Sequence, residues 1–299
     1  MFFKNLLFLL LCLSAHSSQC YLLLHQERLL DQEEMQLQQK LRYMAGIQTD
    51  AQWQKLQKSV YDEYLQACTE STHEERTYTP LSNNIIQPII KTLSNEQIVR
   101  KLGIARIKLG PDNLFVKAYM CNGNIITIAK AKDSFPSEAG VDQYNVLINE
   151  KELFSSHKTD SEIQATLAHE LMHIAKQDDF NLYCLCQAPV KKKKRKFNRI
   201  KAQWERLQEK RADILSGLID RTYAPASRDQ FRRIMKKREK ARALDTHPTI
   251  SKRFEYMSQL TDAMKQNNLQ IWQLLFAIAF LALFSPFALN FTRKNHKAI

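Results

Sequence analysis

The sequence predicts a mainly helical α+β fold in which a small β-sheet precedes one central helix and a transmembrane helix follows near the C-terminus. Three observations lead to this prediction. The 299 residues include only six glycines and eight prolines, β-favouring runs cluster between residues 104 and 148, and the flanking stretches show helical periodicity. The apolar fraction of 44% and the charged fraction of 25% are typical of a globular protein with its own core.

The first 82 residues are predicted to contain a leader and two helices. Residues 1–19 have the layout of a signal peptide, with Lys4 before a short apolar run and small residues after it; an uncleaved anchor is the alternative. Residues 20–82 are predicted to be helical, because apolar residues recur at helical spacing on both sides of an interruption near residues 46–50. We expect these helices to serve packing rather than chemistry.

Residues 83–268 are predicted to form the main domain. A helical stretch covers residues 83–102. Four β-favouring runs follow it, at 105–109, 114–119, 124–129 and 144–148. Asn122-Gly123 is a strong hairpin signal between the second and third runs. Because extended peptides can add a strand to an exposed sheet edge, this sheet is a candidate peptide-binding element.

The helix predicted over residues 159–177 carries the pattern His169-Glu170-Leu171-Met172-His173. Residues four apart lie on one face of a helix, so both imidazoles can reach the same metal ion. Glu170 projects about 100° around the helix from His169, beside the metal, where it can act as a general base on water. The pattern therefore predicts a hydrolytic metal site.

The surrounding residues favour a genuine helix at this position. Thr159 and Glu162 have the spacing of a capping box. Four apolar residues follow at helical spacing, namely Ile163, Leu167, Leu171 and Ile174. The alternative is that two surface histidines lie on an ordinary amphipathic helix.

A third ligand is expected downstream, because hydrolytic zinc sites usually have three protein ligands and one open position. Glu209 and Asp213 lie four residues apart in a helical stretch and therefore share a face. We predict that Glu209 completes the metal shell and that Asp213 orients the imidazole of His169. The alternative is that both are surface acids paired with Lys210 or Arg206.

Three ordered motifs resemble the zinc peptidases of the CAAX prenyl-protease, HtpX and BepA-like family. They are His169–His173, Glu209-Lys210-Arg211-Ala212-Asp213, and His247-Pro248 with Arg253. The resemblance covers residues 104–257, about half of the chain, and implies a zincin-like metallopeptidase domain. It also implies that Arg253 is structural and pairs with an acid near the site.

By that resemblance, His169, His173 and Glu209 would bind one Zn²⁺ per chain, and Glu170 would be the general base. His247 would either stabilise the oxyanion or inhibit the enzyme as an extra ligand. The expected activity is zinc-dependent endopeptidase cleavage of proteins or peptides, in envelope or membrane protein quality control. The alternative is a latent or inactive protease-like zinc protein that binds client proteins without cutting them.

Residues 271–289 form an uncharged apolar stretch that is long enough to span a bilayer core. Trp272 lies at one end, and a basic tail, residues 290–299, follows the other. Together with the leader, the tail predicts a single-pass membrane protein whose catalytic domain is exocytoplasmic and whose C-terminus is cytoplasmic. A buried core helix is the alternative.

The net charge of +13 is concentrated between residues 191 and 242, where 20 Lys and Arg face only six Asp and Glu. The most basic part is a predicted loop over residues 190–200. We interpret it as a solvated loop or as a contact with anionic lipid headgroups. The leader and the membrane helix argue against a nucleic-acid partner, and the sequence predicts no particular oligomeric state.

Overall fold

The computed structural model describes residues 27–135, 137, 139–155, 158–188, 190, 194–237, 248–266 and 273. Within this part of the chain the protein is mainly helical and contains one five-stranded mixed sheet, which agrees with the prediction for the main body. The predicted signal peptide, residues 1–19, and the basic tail, residues 290–299, lie outside the described residues.

Two helices open the described chain, as predicted. Helix α1 covers residues 27–44 and α2 covers Asp50–Glu75. Thr49 caps α2 in a capping box with Gln52, so two otherwise unpaired backbone N–H groups are satisfied at its start. The interruption falls where the sequence predicted it, and Gly46 there has a positive φ of 79°.

Two shorter helices replace the single helical stretch predicted over residues 83–102. Helix α3 covers Asn83–Leu93 and α4 covers Glu96–Leu102. The break occurs because Ser94 ends α3, while the side chain of Asn95 accepts a hydrogen bond from the backbone N–H of Gln97 and begins α4.

The sheet follows directly. Its strands are β1 Ile104–Leu109, β2 Phe115–Met120, β3 Ile125–Lys130, β4 Ala139–Asp142 and β5 Asn145–Ile148. They are arranged in the order β1-β2-β3-β5-β4, with only β3 and β5 parallel. Sequence analysis missed β4, because its four residues include Gly140 and show no alternation of apolar and polar residues.

The remaining described residues are mainly helical. Helices α5 to α10 cover Glu150–Ser155, Asp160–Lys176, Asp178–Gln187, Lys194–Ile219, Tyr223–Lys237 and residues 250–266. Helix α8 begins at Lys194, so its first turns occupy part of the segment predicted to be a basic loop.

Helix α6 lies at the centre and packs against α3, α8, α9 and β4. The main core surrounds it and includes buried residues of the sheet and of α10. A second core joins α1, α2, α7 and the first half of α8, where Phe197 and Trp204 are buried. Because the second half of α8 belongs to the main core through Ala212 and Leu215, Glu209 lies where the two cores meet.

Within the described ranges, no helix has both the length and the apolar character that crossing a membrane requires. The predicted span at residues 271–289 lies outside these ranges except for position 273. The prediction of a transmembrane helix is therefore withdrawn. The single-pass localisation that depended on it is withdrawn as well. An apolar run establishes only composition, whereas a span needs a continuous helix of about 20 residues.

Candidate metal centre

Helix α6 begins as the sequence predicted. The backbone N–H of Thr159 donates to Oε2 of Glu162 at 2.8 Å, and the N–H of Glu162 donates to Oγ1 of Thr159 at 3.3 Å. Arg233 of α9 also pairs with Glu162. These contacts hold the start of the helix, while its buried residues anchor the middle in the main core, so the position of the His169–His173 pattern is well defined.

Three predicted ligands come together on facing sides of α6 and α8. The Nε2 atoms of His169 and His173 are 3.1 Å apart. The carboxylate of Glu209 lies 3.4 Å from Nε2 of His169 and 3.5 Å from Nε2 of His173. The side chains are 13%, 10% and 16% exposed, respectively, so the cluster is recessed but reaches solvent. Such a three-donor group with an open side is typical of catalytic zinc sites.

The spacing of these donors fits a small tetrahedral cation. Zinc bonds of about 2.0–2.1 Å at tetrahedral angles separate neighbouring ligand atoms by about 3.4 Å. The two Nε2 atoms are 3.1 Å apart, and each lies close to this value from a different oxygen of Glu209, at 3.4 Å from Oε2 for His169 and 3.5 Å from Oε1 for His173. One ligand atom from each of the three residues lies within 4.8 Å of the others. Two imidazoles and one carboxylate are also among the usual ligands of catalytic zinc.

The imidazole of His169 is backed by a carboxylate from α8. Its Nδ1 lies 2.9 Å from Oδ1 of Asp213, an ion-pair contact whose angle lies outside hydrogen-bond geometry. Arg253 of α10 donates through Nε and Nη2 to Asp213 at 2.8 and 2.5 Å, and Tyr256 donates its hydroxyl to the same carboxylate. Asp213 thus lies where it could orient His169, and Arg253 contacts this acid; the roles of both residues stay predictions.

The imidazole of His173 is backed by a different carboxylate. Its Nδ1 lies 2.8 Å from Oδ2 of Asp178, the first residue of α7. Gln208 donates to Asp178 at 3.3 Å, and Arg211 pairs both with Asp178 and with Glu34 of α1. Because both histidines direct Nδ1 towards an acid, both Nε2 atoms face the common centre.

These acids control the charge of the imidazoles in the metal-free protein. Burial lowers the pKa of His169, but the negative charges of Asp213 and Glu209 outweigh it and raise the pKa to about 10. Burial likewise lowers the pKa of His173, while its bond to Asp178 and the charge of Glu209 produce a net increase. The centre therefore attracts positive charge, which either protons or a metal cation can provide.

Glu170 lies on α6 beside the three donors and is partly buried. Burial raises the pKa of its carboxyl, and the charges of His169 and His173 oppose that increase. A carboxylate whose pKa is shifted towards neutrality is better matched to accepting and returning a proton than an exposed one.

Several support residues were missed from the sequence, among them Asp178 and Arg211. Asp178 lies beyond the end of α6, and the left-handed backbone of Gln177 turns the chain so that Asp178 faces His173. One signal was present: Arg211 occupies a core-facing position between Leu207 and Leu215 at helical spacing. A charge at such a position requires a buried partner.

One predicted site residue, His247, lies outside the described residues. Comparisons with protein-family models, with curated proteins and with solved structures found no match to this chain. The resemblance drawn from the three motifs therefore stays a prediction. The geometry of the site, rather than a shared fold, indicates what the protein can do.

Proposed function

We propose that this protein is a zinc-dependent endopeptidase. The observation that carries the proposal is the convergence of His169, His173 and Glu209, whose ligand atoms lie within 4.8 Å of one another, with Glu170 beside them. His169, His173 and Glu209 would hold the cation. When bound, zinc would lower the pKa of water to about 7 and polarise the carbonyl group of the substrate.

Proton transfer and the orientation of the ligands would be carried out by side chains of the protein. Glu170 accepts a proton from the attacking water and returns it to the nitrogen of the leaving amine, so the carboxylate ends unchanged. Asp213 and Asp178 keep the two imidazoles oriented and stabilise their positive polarisation during these steps.

The position of an edge strand supports the proposal that the substrate is a peptide. Strand β4 pairs with β5 on one side only, is the last strand of the sheet, and packs against α6. An extended peptide that added to β4 would run close to the metal centre. The substrate class that this arrangement favours is an unfolded or extended segment of a protein.

The test is zinc content and peptide cleavage for the full-length wild type, Glu209→Ala and Glu170→Gln. We expect one zinc per wild-type chain with chelator-sensitive casein cleavage, much less zinc in Glu209→Ala, and normal zinc content with at least a hundredfold lower cleavage in Glu170→Gln. Asp229→Asn, at an exposed position of α9, is the matched control and should behave as wild type.

Cleavage by Glu170→Gln at the wild-type rate would rule out the proposed general base. Zinc without cleavage in the wild type would instead identify a latent or inactive zinc protein. Absence of zinc from the wild type would remove the basis of the proposal, because the three donors would then have no cation to hold.

A further inference from the structure

A cavity of about 250 Å³ opens beside the metal centre on the His173 side. It lies between α2, the β4–β5 turn and the junction of α6 with α7. Aromatic side chains form much of its wall, namely Tyr61, Tyr64, Tyr144 and Phe180. We call this cavity the aromatic pocket. It is smaller than the roughly 300–1,000 Å³ of sites for drug-sized ligands, so its size suits a single amino-acid side chain.

The rings of the aromatic pocket pack against one another. Phe180 meets Tyr61 edge to face, with ring centroids 5.5 Å apart at 86°. Tyr64 lies 5.0 Å from the same ring at a tilt of 46°. Ring faces carry negative electrostatic potential, so faces turned towards a cavity attract a cationic group as well as an apolar one.

Carboxylates make this wall negative. Asp179 lines the pocket and accepts a hydrogen bond from the hydroxyl of Tyr64 at 2.9 Å. Its carboxylate, that of Asp142 and the thiol of Cys68 lie within 4.8 Å of one another. Burial, followed by the charges of Asp179 and Glu75, raises the pKa of Asp142. Within the described part of the chain, neither Asp142 nor Asp179 makes an ion pair with a Lys, Arg or His side chain.

The same three side chains do not form a convincing second metal site. A metal requires the thiolate form of cysteine. Burial and the neighbouring acid Asp142 raise the pKa of Cys68, so a metal would have to displace a proton that the thiol holds tightly. An organic cation needs no deprotonation of Cys68 and also uses the aromatic faces.

We propose that the aromatic pocket binds a basic side chain of the peptide substrate, with Asp179 as the pairing carboxylate and the rings of Tyr61, Tyr64 and Phe180 around the cation. The proposal rests on the proposed peptidase function. Because His173 forms part of the pocket wall, the recognised Lys or Arg lies within a few residues of the scissile bond. Asp179 is thus a specificity residue and takes no part in bond cleavage.

The first test measures binding without catalysis. Benzamidine, a planar aromatic cation, and benzamide, its uncharged counterpart, are titrated by calorimetry into the full-length protein. We expect wild type to bind benzamidine at least tenfold more tightly than benzamide, and Asp179→Asn to lose that preference. Asn still accepts the hydrogen bond from Tyr64, so the pocket should keep its shape. Asp62→Asn makes the same charge change at an exposed position of α2 and should match wild type.

Equal binding of the two ligands to wild type, or an unchanged preference in Asp179→Asn, would overturn the proposal in favour of a purely apolar pocket. The second test profiles cleavage sites in a denatured protein mixture by mass spectrometry. We expect Lys and Arg to be enriched at one fixed position relative to the cut, and this enrichment to disappear in Asp179→Asn.

The two tests separate the two proposals. Selective benzamidine binding without any cleavage would uphold the cation pocket and contradict the peptidase. Chelator-sensitive cleavage with no basic preference would uphold the peptidase and overturn the pocket as a substrate subsite.

Discussion

Each imidazole of the metal centre has its Nδ1 within 2.9 Å of a carboxylate oxygen, but the two acids differ in what supports them. Behind His169, the carboxylate of Asp213 accepts hydrogen bonds from Nε and Nη2 of Arg253 and from the hydroxyl of Tyr256. One acid therefore has one dedicated cation and a neutral donor. The arrangement behind His173 distributes its charges differently.

On the His173 side, one cation serves two acids. Arg211 is only 2% exposed and pairs with both Asp178 and Glu34, which ties α8 to α7 and to α1. Burial lowers the pKa of Arg211 to about 10, whereas the charge of Asp213 outweighs burial and raises the pKa of Arg253. We call the first network, in which one arginine pairs with one acid, a closed pair. In the second network, one arginine pairs with two acids that belong to different helices.

The comparison shows which charge would be left alone after a mutation. Removing the charge of Asp213 deprives Arg253 of the carboxylate with which it pairs. Removing the charge of Asp178 leaves Arg211 paired with Glu34. Since an unpaired buried charge costs much more than a lost hydrogen bond, the two acids should differ in stability even though both orient an imidazole. Substitutions in the two networks, and changes of pH, test this difference in stability.

Asp213→Asn should destabilise the metal-free protein by about 3–5 kcal/mol, because it removes the carboxylate charge that pairs with Arg253, whose side chain is only 16% exposed. Zinc affinity should fall by about 10–100-fold, since His169 loses the acid that orients it. Urea unfolding and competition with a chelating dye measure the two effects. A loss below about 1 kcal/mol, the usual value for an exposed pair, would contradict the closed-pair description.

Asp178→Asn should cost less, about 1.5–3 kcal/mol, because Arg211 keeps Glu34. Zinc affinity should nevertheless fall by a similar 10–100-fold, since His173 loses its orienting acid. Glu34→Gln and the double variant complete a thermodynamic cycle. We expect the double variant to cost more than the sum of the single variants, and additive costs would show that the two acids do not share Arg211.

The charge of His169 makes both the stability of the metal-free protein and its zinc affinity depend on pH. The folded pKa of His169 is raised from 6.5 to about 10, so the imidazolium stabilises the metal-free protein fully below about 6.5, and that stability is lost as pH rises through about 10. Zinc binding requires the neutral ring, so zinc affinity should rise with pH over this window by up to about tenfold per unit for each proton released.

Calorimetry in buffers of different ionisation enthalpy counts the protons released on zinc binding at pH 7. We expect more than one in wild type, because the pKa of His173 is also raised. Asp213→Asn should release fewer, since His169 loses the negative charge that favours its protonation. An equal count in both proteins would mean that Asp213 does not govern the charge of His169.

Tyr256→Phe should have the smallest effect, about 1 kcal/mol, because Arg253 still holds Asp213 through two hydrogen bonds. Zinc affinity should change by less than threefold. Thermal unfolding with and without zinc measures both. A loss as large as that of Asp213→Asn would make the tyrosine, rather than the arginine, the main support of the acid.

The elements with strong local signals were predicted well. The capping box at Thr159, the hairpin at Asn122-Gly123 and the break near Gly46 are all present, because each depends on neighbouring residues. The errors lie where local signals are weak. Strand β4 is held by pairing with β5 rather than by its own sequence, and the predicted membrane span at 271–289 rested on composition alone.

The sequence by itself determined which residue types could form the metal centre and how they are spaced. His169 and His173, like Glu209 and Asp213, share a helix face for reasons of helical geometry alone. Only the tertiary structure decided that the two faces meet, because packing of α6 against α8 depends on the two cores.

The tertiary structure alone also brought Asp178, Arg211 and Glu34 to the site and formed the aromatic pocket beside it. These residues come from α7, α8 and α1, and no periodic pattern in the sequence links them. A pattern in one helix reports the face it presents, whereas the partners of that face depend on how distant segments pack.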